Sequence, residues 1–130
     1  MATSEKVWKS LKSAMMHLEN SMQALNRKDD DSFAESLWHL AAELEYMLFL
    51  FSITFQDESD VLKWKPNPEI KKIENSLLLG TVQNLLNDVE KFVVNEKLLD
   101  AYKSAHTARN YILKVQEDIA KKKHEVLKGK

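Results

Sequence analysis

The chain has no cysteine, which excludes a disulfide framework, a thiol nucleophile and a thiolate metal site. Glycine and proline are almost missing, with two of each in 130 residues. Folds with many tight reversals depend on those residues, so their scarcity points to a few long elements. Arginine is also scarce, represented only by Arg27 and Arg109. It is the usual residue for bidentate contacts to phosphates and base edges, and nucleic acid is therefore not the expected partner. A net charge of −1 gives no global attraction to a polyanion or an anionic membrane. No long hydrophobic run is present. The greasiest stretch, residues 46–55, is too short for a bilayer span of about 20 residues, and Glu43 and Glu45 stand directly before it. The first residues are polar and lack the apolar segment of a signal peptide. The expectation is a cytoplasmic protein with no membrane partner and no cofactor.

What is present is helix-forming. Apolar residues make up 44% and charged residues 30% of the chain, a globular balance, and the length suits one domain. Leu, Ala, Glu and Lys outnumber the β-branched residues, which favours helix. Four segments carry apolar positions at steps of three and four. The first runs from about residue 3 to 27, with Val7, Leu11, Ala14, Met15, Leu18, Met22 and Leu25 on one stripe. The second, 32–55, opens on Ser32 and Glu35 as a capping box and carries Phe33, Leu37, Leu40, Leu44, Met47, Phe51 and Phe55.

A loop over 56–67 follows, then Asn67 and Pro68 as a helix start. The third helix is expected over 68–94, bending or re-phasing near Gly80, where two apolar stripes fall out of register. The fourth, 96–125, carries Leu98, Ala101, Tyr102, Ala105, Ala108, Ile112, Val115 and Ile119. Short connections make sequential helices antiparallel. The expected fold class is therefore all-α, an antiparallel up-down-up-down four-helix bundle forming a single domain over residues 1–130.

The second helix departs from a one-faced pattern. Its first half is backed by Glu35, His39, Ala42 and Glu43, but its second half is backed by Tyr46, Phe49, Leu50 and Ile53. A helix that is apolar all round must be covered all round. Three covers are available: the 56–67 loop with Val61, Leu62 and Trp64, a second copy of the chain through a two-fold contact, or a ligand or different protein partner. Tyr46, Phe49, Leu50, Ile53 and Trp64 are thus the candidate interface residues.

Catalytic patterns are weak. Glu35, His39 and Glu43 share one helix face at one-turn spacing, so they are the candidate metal ligands. Yet the spacing is four where the di-iron bundle motif uses three, and no facing helix supplies a partner motif. They read as a solvated face, with no metal and no catalytic residue expected. His17 and His106 flank apolar stripes as boundary histidines. Arg109 is expected to pair with a carboxylate of the second helix. Lys63, Trp64 and Lys65 interleave an aromatic with cations, a pattern that can stack a base. The lysine-rich end beginning at Lys121 reads as a solubilising tail.

The segment 38–46, Trp-His-Leu-Ala-Ala-Glu-Leu-Glu-Tyr, within a compact helical bundle, resembles HEPN-type domains of prokaryotes. Nuclease members of that family carry Arg followed four to six residues later by His. Neither Arg27 nor Arg109 has a histidine at that spacing, so the resemblance implies no ribonuclease activity here. It implies a bundle that binds a small ligand or nucleic acid. The primary expectation is a non-enzymatic interaction module that forms a homodimer through the second helix.

Overall fold

Stripes at helical spacing need neighbours to bury them, and the chain supplies four helices that bury one another. The computed structural model describes residues 2–55 and 74–128, with side chains described over 5–55 and 74–122. Among the described residues there are four helices and no strand: α1 (Ala2–Asn26), α2 (Asp30–Thr54), α3 (Asn75–Val94) and α4 (Leu98–Lys128). α1 packs on α2, and α3 packs on α4. These two hairpins meet through α2 against α4 and α1 against α3. The core lies between them, with Leu11, Leu18, Leu37, Leu40, Leu44, Met47, Phe51, Leu86 and Ile112 almost wholly enclosed.

Small residues bring the first hairpin close. Ser10, Ala14, Ser21 and Ala24 are buried on α1. Both serines are satisfied: Ser10 donates its hydroxyl across to the Glu43 carbonyl of α2 at 3.1 Å, and Ser21 to the Leu18 carbonyl of its own helix at 2.6 Å. A buried hydroxyl without a partner would cost 1–3 kcal/mol, so these bonds allow the close approach at no penalty. α4 uses Ala101, Ala105 and Ala108 in the same way.

Each hairpin closes with a three-residue turn of one design. α1 ends with Lys28 in the left-handed region at φ 57°. Lys28 N–H donates to the Leu25 carbonyl and Asp29 N–H to the Ala24 carbonyl. α3 ends with Glu96 at φ 60°, and here Glu96 N–H donates to Val93 and Lys97 N–H to Phe92. Both are Schellman closures, built without the glycine that usually occupies the left-handed position. This explains a break near Asn95 that has no Gly or Pro to mark it.

The α2 start differs from the capping box expected at Ser32. Asp29 is the N-cap. Its carboxylate accepts from Ser32 N–H at 3.2 Å and from the Ser32 hydroxyl at 2.8 Å. Because the α1 turn is complete at Lys28, the first acceptor in place is Asp29, and a carboxylate suits the positive helix end. The Ser32 hydroxyl bond first, then the backbone bond, hold the Asp29 carboxyl below its usual value of 3.8.

α3 begins at Asn75, with Glu74 extended at φ −57°, ψ 143°. The expected start at Asn67 and Pro68 lies outside the described residues. Of the stripe expected before Gly80, Ile70 and Ile73 lie outside the described residues. Leu77, from the earlier stripe, is exposed, and one continuous buried stripe of Leu78, Leu79, Val82, Leu86 and Val89 runs through the glycine.

The up-down-up-down order is also revised. Arg109 on α4 meets Glu45 on α2, while Tyr102 meets Phe51 and Phe55. Moving back along α4 therefore moves forward along α2, so the two are antiparallel. α3 is antiparallel to α4 through the 95–97 turn, which leaves α2 and α3 running the same way. In chain order the directions are up, down, down, up. Residues 55 and 74 thus stand at opposite ends of the bundle. The 18 residues between them can reach roughly 60 Å at about 3.3 Å each, more than enough to join ends that a short loop could not. Every spatially adjacent pair of helices remains antiparallel.

Gly80 and the helix ends each make a measurable contribution to stability. A Cβ on Gly80 would meet nothing within 4 Å, and glycine inside a helix costs about 0.5–1 kcal/mol relative to alanine. Gly80→Ala is expected to stabilise by that amount, and Glu96→Gly by up to about 1 kcal/mol through relief of the left-handed strain. Thermal unfolding of each variant checks this, and a lowered midpoint for Gly80→Ala would contradict the packing described. The Asp29 cap also has a pH signature. Its folded pKa is depressed, so its contribution is present above pH 3.8 and is lost as pH falls through the lower folded value. Asp29→Asn keeps an acceptor at the cap but should lose less stability than wild type between pH 5 and pH 3 in denaturant titrations.

Candidate interaction surface on the second helix

Helix α2 touches both α1 and α4, so two of its edges as well as its inner stripe are covered. His39 faces α1, with its ring stacked on His17 at 5.2 Å between centroids. The Glu43 carbonyl accepts from Ser10 on the same side. Leu50 lies seven residues beyond Glu43, two turns down that edge, and is 4% exposed. The expectation that Leu50 belongs to the outer face is therefore corrected: it is core.

The outer face that remains is apolar and open. Phe49 is 57%, Tyr46 45% and Ile53 44% exposed. Trp38, two turns earlier, is 64% exposed. Ala42 is exposed between them. Trp38, Ala42, Tyr46, Phe49 and Ile53 follow steps of four, four, three and four, which is one stripe on a 3.6-residue helix. The stripe rises about 22 Å at 1.5 Å per residue. Sequence reasoning missed Trp38 because Glu35, His39 and Glu43 suggest a uniformly solvated first half. The signal was available in the spacing, since Trp38 is one turn from Ala42 and outside the inner stripe. Trp64 lies outside the described residues, as do Val61 and Leu62.

Charge borders this stripe. On the α4 side, Arg109 donates to Glu45 at 2.8 Å, the pairing with a second-helix carboxylate that the sequence suggested. The Arg109 Nε is enclosed and has no acceptor. Arg109 Nη2 stands 3.5 Å from His106 Nε2, and the His106 ring meets Tyr102 edge-on. On the α1 side, His39 lies 3.8 Å from Glu35 and edge-on to Trp38.

The candidate metal ligands do not converge. Glu35 and His39 approach each other, Glu43 lies on the α1 edge, and no group of three potential ligands among the described residues is arranged to hold a metal ion. A polar groove of about 420 Å³ opens between α1 and α2, lined by His17, Asn20, Gln23, Arg27, Ser32, Glu35, Ser36 and His39. It borders the apolar stripe at His39. No helix among the described residues is long and apolar enough to cross a membrane.

The two neighbours Phe49 and Leu50 should separate cleanly by mutation. Leu50→Ala removes a buried side chain and is expected to cost about 2–5 kcal/mol. Phe49→Ala, half in solvent, should stay within about 0.5 kcal/mol when unfolding is followed at the lowest workable protein concentration. Equal costs would mean that the outer face is misassigned.

Comparison of the chain with family models, with curated proteins and with solved structures gives no match. The resemblance to HEPN-type bundles thus gains no support from either sequence or fold comparison, and function has to be argued from the surface alone.

Proposed function

We propose that this protein is a non-enzymatic, cytoplasmic interaction module that self-associates through the outer face of α2. One observation carries the reading: a continuous exposed stripe of Trp38, Tyr46, Phe49 and Ile53 on a helix whose other faces are already packed. Aromatic residues are enriched at the centres of interfaces. A monomer has no folding reason to hold three aromatic side chains in solvent along one helix. At about 200 Å² for a large side chain, these exposed fractions amount to roughly 400 Å². That is about half of the ~800 Å² each partner contributes to a standard interface, so the flanks of α1 and α4 must supply the rest.

A second reading, a bundle that binds a small ligand or nucleic acid, is favoured by the polar groove alone. Arg27 is the one permanently cationic side chain lining it, against Glu35, which suits a small polar molecule better than a polyanion. Titration with a short oligonucleotide, followed by the fluorescence of Trp38 at the groove's edge, tests it. A saturable change would support this reading, and no change would remove the nucleic-acid form of it.

Light scattering decides the primary reading. The wild type is expected at twice the 15.1 kDa chain mass at micromolar concentration, and Phe49→Glu or Trp38→Glu at the chain mass with helix content unchanged. Leu50→Glu is unsuitable, because it places a charge in the core. A monomeric wild type would overturn the proposal.

A further inference from the structure

The outer stripe of α2 is self-complementary about its own midpoint. Trp38 and Ile53, Ala42 and Phe49, and Glu45 and Tyr46 all share one centre, between residues 45 and 46. On a 100° wheel the members of each couple also lie to either side of one common direction. A two-fold axis perpendicular to α2 at that centre therefore sets Trp38 beside the partner's Ile53 in one layer. It sets Ala42, the smallest exposed side chain of the stripe, beside the partner's Phe49. Only the Ala42–Phe49 layer sets a small side chain against a large one, which gives that register a hole for the Phe49 knob. Resting on the self-association reading above, we infer that the partner is a second copy of this chain, docked α2 against α2, antiparallel, on an axis between Glu45 and Tyr46.

Charge selects the same arrangement. The start of α2 carries Asp29, Asp30, Asp31 and Glu35, and no Lys or Arg follows until Lys63. Parallel pairing would press two acidic helix starts together. Antiparallel pairing about residues 45 and 46 moves them roughly 40 Å apart at 1.5 Å per residue, well beyond the screening length of about 8 Å. Near the axis, each Glu45 carboxylate accepts from its own Arg109 and keeps about half its side-chain surface exposed, at 53%. The two-fold operation brings a second such pair alongside, so that the acid of one protomer borders the guanidinium of the other. The two Glu45 carboxylates meet near the axis, each already paired with its own Arg109, while the acidic helix starts stay far apart.

The native chain has no cysteine, so single-cysteine variants report the register without background. Under mild oxidation Tyr46→Cys, beside the axis, is expected to form a covalent dimer with itself. Trp38→Cys alone should not, because its own copy lies about 22 Å away. An equimolar mixture of Trp38→Cys and Ile53→Cys should cross-link at least ten-fold more than either alone. A size exchange gives a second readout at exposed positions where folding is not at stake. Ala42→Phe should weaken association ten-fold or more, and Ala42→Phe combined with Phe49→Ala should restore it. Self-cross-linking of Trp38→Cys, or a double variant no better than Ala42→Phe, in a protein that light scattering finds dimeric would overturn this register but leave self-association standing. A monomeric wild type would overturn both.

Discussion

The bundle depends on burial of the α2 stripe Leu37, Leu40, Leu44, Met47 and Phe51, because α2 joins the two hairpins. It lies against α1 within its own hairpin and against α4 across the core. Each of these five side chains is 0–1% exposed, and each fully buried side chain of this size contributes about 1.5–3 kcal/mol. The other cross-hairpin contact, α1 against α3, is reinforced at its rim by Lys12 and Glu90 at 3.1 Å, an exposed pair of the kind worth at most about 1 kcal/mol. The hydrophobic seam of α2 therefore decides the assembly, and the ion pairs follow its geometry.

That position also explains why α2 is apolar over so much of its circumference. Leu40, Leu44 and Phe51 fill the centre, Leu50 lies on the α1 edge, and Phe51 and Phe55 extend to Tyr102 on α4. Much of the apparent excess of hydrophobicity is therefore ordinary packing on two neighbours. The excess that remains after those contacts is the outer stripe, and it begins earlier than residue 46 because Trp38 belongs to it. What sets this surface apart is that its apolar residues fall in line, whereas Met16, Leu77, Val94 and Leu113 are exposed on other helices.

Helical class, the core stripes of α1, α2 and α4, the α3 stripe beyond Gly80 and the Arg109–Glu45 pairing were legible in the sequence, since each depends on spacing within one helix or on a scarce residue type. Three features were not. The Schellman turns carry Lys28 and Glu96 where glycine is the usual marker, so the breaks could be placed but their closing geometry could not be read. The α2 cap moved from Ser32 to Asp29 because two competing acceptors stand three residues apart, and the turn geometry chose between them. The chain order of directions failed because connection length was read as short. Antiparallel packing holds for every pair of spatial neighbours, but α2 and α3 are not neighbours. The outer stripe was half legible: Tyr46, Phe49 and Ile53 stand out by hydrophobicity, Leu50 was misplaced by one edge, and Trp38 was hidden among charges.

The parallel course of α2 and α3 has a consequence for how the chain folds. Each hairpin closes over three residues, so its helices meet at little entropic cost and can form on local contacts. Joining the hairpins instead means closing the longer stretch of chain between Phe55 and Glu74, and chain length alone raises such a cost only slowly. Yet that closure must bring together stripes from distant parts of the sequence, and such contacts set folding rates. The topology therefore divides the fold into two local hairpins and one long-range seam along α2. One helix thus carries both the seam that joins the hairpins, Leu37, Leu40 and Leu44, and the aromatic stripe left open on its far side.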